Sequence, residues 1–311
     1  MKLATFVHRG QERLGAVLED KVVDLAAAAE ELNESRPREA LSGMVAFLEA
    51  GPAARTLADS IVHRVTAAKK PADAVLSLSE VALRPPVPRP KKLFALAGNY
   101  EEHVRETGGG TADRERRSPR VFMKPPSTTL TTPGAPIAIP RIGRKIDWEV
   151  ELAVVIGART KYVTPAQAKE RIGGYTVLND ISERGFDPRP GQEYEEWDKF
   201  FNWLNGKWFD SFAPCGPWLV TADELDTRSL RLQLRKNGET KQDSRTDRMT
   251  FNCAELVSWI SQIVTLEPGD LIATGTPAGI GHPVGEYLHP GDVVEAEIEG
   301  IGVLRNPVVA E

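Results

Sequence analysis

The residues able to do chemistry fall in a few short stretches. In Asp147-Trp148-Glu149-Val150-Glu151-Leu152-Ala153-Val154-Val155-Ile156, strand periodicity points Glu149 and Glu151 to one face and Val150, Leu152 and Val154 to the other. From Leu152 onward both faces are apolar, so the strand reads as covered on both sides. Two carboxylates side by side at the edge of a buried surface repel and lose hydration, and a divalent cation between them removes both penalties. The same pair also fits a solvent-facing strand edge, and these ten residues leave both readings open. A third carboxylate, Asp180, ends the apolar run Tyr175-Thr176-Val177-Leu178-Asn179, where a ligand, a turn aspartate and a helix N-cap are all compatible with it.

His103 and Glu106 lie three residues apart in a stretch that reads as helical, which sets them on one face. A carboxylate bonded to an imidazole fixes its tautomer and raises its basicity, as a general base requires. Surface His/Glu neighbours have the same spacing. Lys207 stands among Trp203, Trp208, Phe209 and Phe212, a setting that either strips water from the ammonium or lets its stem cover aromatic surface while the head stays wet. Gly275-Thr276-Pro277-Ala278-Gly279-Ile280-Gly281 follows a strand but has neither the P-loop ending nor the dinucleotide order of glycines. Cys215, between Pro214 and Gly216, reads as a packed thiol.

Composition narrows the chemistry. Two cysteines and five histidines in 311 residues, with no two histidines closer than seven positions, exclude a Cys-rich zinc site and a disulfide framework. Any metal must be held by carboxylates, which selects a hard ion: Mg2+, Mn2+ or Ca2+. A net charge of −5 without a long Lys/Arg run argues against nucleic acid or an anionic membrane as partner. The apolar stretch 3–7 is too short for a signal-peptide core, and no run approaches a membrane span. A cytoplasmic protein acting on small molecules is the expectation.

The elements that must position these residues are strand-rich, because 26 Gly and 23 Pro favour short strands and tight turns. Residues 3–7, 14–18 and 22–25 read as hairpin strands, and 37–68 as helical, interrupted at Gly51-Pro52. Four prolines within 83–90 mark an extended linker. The expected division is a small N-terminal αβ domain over 1–88, a Pro-rich linker over 89–91 and a large domain over 92–311. In the large domain, 92–96 reads as a strand, 101–106 as a helix and 107–119, with three consecutive glycines, as a loop that is either disordered or a lid. Strands are expected at 147–156, 174–179, 271–274 and 293–298. Thr164 with Gln167 and Asn252 with Glu255 mark two helix starts, the second helix carrying Leu256, Trp259, Ile260 and Ile263 on one face.

The order Gly98-Asn99-Tyr100 with His103 and Glu106, Phe122-Met123-Lys124-Pro125, 147–157, 174–180, Gly206-Lys207, Ala213-Pro214 with Gly216-Pro217-Trp218, and Gly269-Asp270 through Thr274-Gly275-Thr276-Pro277 to Gly281 resembles the fumarylacetoacetate hydrolase family over residues 92–311. The resemblance implies an α+β, strand-dominated fold, a mixed β-sandwich or β-roll catalytic domain preceded by the small αβ domain, and a homodimer. It implies Glu149, Glu151 and Asp180 as metal ligands, with Mg2+ foremost and Mn2+ or Ca2+ as alternatives. His103 and Glu106 match the family's catalytic dyad, Lys207 the lysine that assists at the substrate, and Thr276 a substrate-contacting threonine. Two positions depart from the pattern: Ser182-Glu183-Arg184-Gly185-Phe186-Asp187 stands where Ser-Ala-Arg-Asp-x-Gln is common, and Trp208 replaces a small residue. The implied activity is hydrolysis of a C–C bond in a 1,3-dicarbonyl or acylpyruvate-like 2-oxo acid. The alternatives are isomerisation of a hydroxymuconate-type diacid, decarboxylation of a 2-oxo diacid, and an interaction protein without turnover.

Overall fold

The computed structural model describes residues 1–36, 38–68, 73–110 and 114–311. Pro37, the expected start of the helical stretch, and Thr111 to Asp113 in the expected lid lie outside the described residues.

Alternating patterns near the amino terminus close as hairpins. Lys2–His8 pairs antiparallel with Gln11–Leu18, which pairs with Lys21–Asp24. The free edge of Lys2–His8 then pairs with Ala213–Thr221 through Lys2 opposite Val220 and Leu3 opposite Leu219. One sheet therefore runs from these hairpins through Ala213–Thr221, Ile172–Asn179, Val150–Ile156, Leu271–Ala273 and Leu93–Ala97 to Arg120–Met123. A second sheet contains Glu239–Arg245, Arg231–Lys236, Val293–Ile298, Gly302–Ala310 and Ile137–Ile139. This is the strand-dominated α+β class expected from the sequence.

Strand alternation builds two cores on the two faces of the large sheet. Leu152, Val154, Ile156 and Val177 face Leu232, Leu234, Val294, Ala296 and Leu304 of the second sheet. Ala153, Val155, Leu178 and Leu219 turn the other way, onto Phe47 and Leu48 of the helix Met44–Ala50 and Leu57, Ala58 and Ile61 of Pro52–Ala67. The proline-rich segment is held down between them. Val87 is buried in the second core, and the Thr5 hydroxyl donates to the Pro86 carbonyl at 2.7 Å.

Local signals acted as their chemistry requires. Thr164 and Asn252 each accept from the third residue of their helix, and Gln167 and Glu255 reach back to complete capping boxes at Pro165–Lys169 and Cys253–Ile263. The second of these helices is rotated from the expected face. It buries Cys253, Leu256, Val257 and Ile260, while Trp259 and Ile263 stand 39% and 69% exposed. The strand expected over 22–25 stops at Asp24, whose carboxylate caps the helix Leu25–Glu31 by accepting from Ala27 N at 3.0 Å.

Cys215 and Cys253 are free and buried. Burial pushes each thiol up to about 12, with hydrogen bonds only partly offsetting it. Both therefore stay protonated at pH 8. We expect neither to react with a thiol-specific disulfide reagent at that pH in the native protein, and both to react once guanidinium unfolds it, as counted by released chromophore.

Candidate active site

The register of two central strands assembles the acidic cluster. Val150–Ile156 and Ile172–Asn179 run antiparallel with Val150 opposite Asn179, so the residue before one and the residue after the other meet. The Asp180 amide donates to the Glu149 carbonyl at 2.9 Å, and the Asn179 side chain accepts from the Glu149 amide at 2.9 Å. Glu149, Glu151 and Asp180 are all buried, and an oxygen from each lies within 4.8 Å of the others. The solvent-facing alternative for the two glutamates does not hold in the structure.

Three cations share this buried space. Lys207 Nζ donates to Glu149 Oε2 at 2.9 Å and Asp180 Oδ2 at 2.8 Å. Arg184 binds Glu149 and, through Nε, Asp147 Oδ2 at 3.0 Å. Lys124, fully buried, binds Asp180 and donates to the Ile181 carbonyl at 3.0 Å. Burial alone would raise the Glu149 carboxyl, but Lys207 and Arg184 outweigh it and hold it well below the usual carboxylate range. Burial lowers the Lys124 ammonium, with Asp180 pulling the other way. Burial works against charge on Lys207 too, yet Asp180 and Glu149 keep it above its ordinary value.

Glu151 is treated differently. Its Oε2 accepts from the Gly275 amide at 2.6 Å, a contact made where Gly275 has φ +92°, while Oε1 is buried with no hydrogen-bond partner. Burial first, then Asp180 and Glu149, raise its carboxyl well above the ordinary value. An orphaned carboxylate oxygen inside a cluster of hard oxygen donors is what a divalent cation would satisfy, so the residues fit the group.

The dyad comes from a separate element. Asn99 fixes the entry to the short helix Glu101–Glu106: its side chain donates to the Phe251 carbonyl at 3.0 Å and the Thr274 carbonyl at 2.7 Å and accepts from the Phe251 amide at 2.9 Å. His103 Nδ1 lies 2.9 Å from Glu106 Oε1, and Glu106 Oε2 accepts from the Gly279 amide at 2.8 Å. His103 borders a narrow cleft together with Glu149, Arg184, Trp203, Lys207 and Thr276. The cleft adjoins an open cavity of about 840 Å³, also bordered by His103 and Arg184.

All seven residues singled out in the sequence thus converge on one place. Thr276 lines the cleft, but its hydroxyl is engaged, donating to the Val150 carbonyl at 3.0 Å and accepting from Gln242 at 2.9 Å. Lys207 Nζ lies 5.6 Å from the Phe122 ring and 5.8 Å from that of Trp203, so of its two expected settings the desolvated one is found. Its delivery depends on Gly206, where a Cβ would stand 2.3 Å from the Glu183 carbonyl oxygen. Trp208 faces outward, 42% exposed, and donates to the Met123 carbonyl at 2.8 Å; Trp203 from the helix Glu196–Asn205 is the aromatic that borders the cleft. Sequence reasoning did not assign Lys124, Arg184 and Asp147 to the site. The signals were present in the Phe-Met-Lys-Pro block and in the arginine four residues after Asp180.

A family model described as "Fumarylacetoacetate (FAA) hydrolase C-terminal" matches residues 92–309. The chain belongs to the fumarylacetoacetate hydrolase family. Known members of this family are enzymes with hydrolase, isomerase and tautomerase activities. A mitochondrial oxaloacetate tautomerase of Bos taurus is 43% identical over 271 residues, covering 86% of this chain and 79% of that protein. The structure of 5-carboxymethyl-2-hydroxymuconate delta-isomerase from Mycobacterium smegmatis superposes with a TM-score of 0.71 at 30% identity, covering 100% of this chain and 99% of that one. Maleylpyruvate hydrolase from Sphingobium sp. SYK-6, in complex with manganese(II) ion and pyruvate, superposes with a TM-score of 0.75 at 27% identity, again covering 100% and 99%. No helix among the described residues is long and apolar enough to cross a membrane.

The orphaned oxygen generates a test. Added Mn2+ is expected to raise the melting temperature of the wild-type protein, and Glu151→Gln is expected to abolish most of that rise while the metal-free protein melts no lower than wild type, because the amide keeps an acceptor for the Gly275 N–H and buries no charge. Differential scanning fluorimetry with and without Mn2+ reads both.

Proposed function

We propose that this protein is a divalent-metal-dependent enzyme that interconverts the keto and enol forms of a 2-oxo dicarboxylic acid, oxaloacetate being the first candidate. The observation that carries the reading is His103 bordering the same cleft as Glu149 of the buried triad, with Nδ1 facing Glu106 at 2.9 Å. The tautomerase relative at 43% identity supports the reaction type. Glu149, Glu151 and Asp180 would hold the cation, Mg2+ or Mn2+, which when bound supplies Lewis-acid polarisation of the oxygens of a 2-oxo acid.

The chain's own groups supply the rest. Glu106 accepts from Nδ1, so the imidazole carries its proton there and Nε2 is left with the lone pair. Nε2 can take a proton from the carbon next to the substrate carbonyl and return one to the enol oxygen's side of the system, which is tautomerisation without loss of atoms. The Gly279 amide holds Glu106 in place. Lys207 and Arg184 keep positive charge beside the position where enolate charge develops, and the Phe122 and Trp203 rings keep water away from Lys207.

A second reading is supported by the same dyad. A His/Glu pair at 2.9 Å also suits activation of water, which gives the C–C hydrolysis of an acylpyruvate, and maleylpyruvate hydrolase is a structural relative. A small oxo acid is the partner in either case.

Loss of enol absorbance from oxaloacetate, measured with Mg2+ or Mn2+, and pyruvate release from acylpyruvates, measured by a coupled dehydrogenase, separate the two. Enol-to-keto conversion without pyruvate supports the first reading. In either assay His103→Ala is expected to lower kcat by about 10²- to 10⁴-fold while keeping the Mn2+-induced rise in melting temperature. Wild-type turnover in that variant would refute the role of His103.

A further inference from the structure

The wall of the 840 Å³ cavity presents a cation that the charge network around the triad does not use. Arg184 and Lys199 also line this cavity, but Arg184 is tied to Asp147 and Glu149, and Lys199 donates to Glu196 at 2.6 Å. Arg120 is different. Among the described residues no carboxylate lies within ion-pair distance of its guanidinium, and its side chain makes no hydrogen bond.

Its position follows from strand geometry. Arg120 opens the strand Arg120–Met123, two residues before Phe122 and four before Lys124. Alternate residues of an extended chain share a face. Lys124 on that face reaches Asp180, Phe122 lies 5.6 Å from Lys207 Nζ, and Arg120 faces the cavity beside its cross-strand partner Ala97, which lines the cavity too. Four residues of extended chain separate the Cα atoms of Lys124 and Arg120 by about 13 Å. A substrate whose 2-oxo acid end lies at the triad and whose tail follows this strand would bring its far end to Arg120.

We infer that Arg120 binds the distal carboxylate of a 2-oxo dicarboxylic acid longer than four-carbon oxaloacetate, so that this residue selects extended diacids over monoacids of equal length. The inference rests on the proposed binding of 2-oxo acids at the triad. A guanidinium presents a planar fork of donors that matches a carboxylate, and a charge-assisted bond of this kind at a partly hydrated site contributes about tenfold in affinity. A four-carbon diacid at the triad ends short of the arginine, so oxaloacetate binds there without this contact and only longer diacids gain it.

Calorimetric titration of the Mn2+-loaded protein with three probes tests this. Oxalate reports the triad alone, 2-oxoadipate adds a distal carboxylate, and 2-oxohexanoate has the same length without it. Wild type is expected to bind 2-oxoadipate about tenfold more tightly than 2-oxohexanoate. Arg120→Met is expected to erase that preference while oxalate and 2-oxohexanoate stay within about twofold of wild type, and Arg120→Lys to restore part of it. Equal wild-type affinity for the two six-carbon acids, or undiminished preference in Arg120→Met, overturns the assignment. If oxalate itself fails to bind the Mn2+-loaded wild type, the reading of the triad falls and the role of Arg120 falls with it, a result distinct from loss of diacid preference alone.

Discussion

Everything at the centre of this protein depends on burying more carboxylates than cations. Asp147, Glu149, Glu151 and Asp180 are removed from water together with Lys124, Lys207 and Arg184. Burying an ionised group costs several kcal/mol in real proteins unless it is paired and hydrogen-bonded, so four acids and three bases leave one acid poorly compensated. The arrangement concentrates that deficit on Glu151, whose Oε1 has no partner, while the other three acids are each tied to a lysine or arginine. A fold that only had to be stable would gain by replacing Glu151 with an apolar residue. Its presence is a cost that makes sense where a cation is to be bound.

The surrounding structure is arranged so that this cost can be carried. Glu149, Glu151 and Asp180 sit on or beside two neighbouring strands buried on both faces, where backbone register rather than side-chain rotamer sets their spacing. The dyad sits on a helix of six residues attached through Asn99, whose side chain makes three hydrogen bonds to neighbouring backbone. A rigid sheet holds the charge and a short helix holds the His103/Glu106 pair. Arg114 donates to the Thr250 carbonyl at 2.9 Å and pairs with Glu255, beside the Phe251 backbone that Asn99 binds.

What could be read in the sequence was whatever local chemistry encodes. Capping boxes at Thr164 and Asn252 involve residues three apart, and the structure has both. The strand alternation of Glu149 and Glu151 is equally local. Whether that pair faced solvent or a buried site was not, since it depends on Asp180 arriving from the next strand and on Lys124 and Lys207 arriving from 25 residues before and 58 after Glu149 along the chain. The helix face misjudged at Trp259 and Ile263 has the same origin: apolar spacing names the candidates, and only the packed sheet decides which of them are covered. Lys124 and Arg184 stand in recognisable stretches, yet lysines and arginines are mostly solvated, and only the packed sheet decides that these two are buried beside the acids.

Relatives within the family carry out different reactions, and physical chemistry explains how one kind of site could support them. Tautomerisation, isomerisation and C–C hydrolysis of 2-oxo acids share an enolate, so under the proposed function an acidic cluster and its cations could stay constant while the walls of the cleft set the outcome. In this chain the approach is bordered by residues outside the triad strands: Phe186 and Asp187 in the stretch that departs from the common family pattern, Trp203 on the helix Glu196–Asn205, and His282 beyond the Gly279 loop. Asp187 is itself held by the Tyr194 hydroxyl at 2.7 Å, and Phe186 packs edge-on against Phe209. These contacts give the departing segment a defined shape rather than leaving it as filler. Divergence in substrate therefore belongs to the walls, whose side chains can change without altering the charge balance that the sheet has to bury.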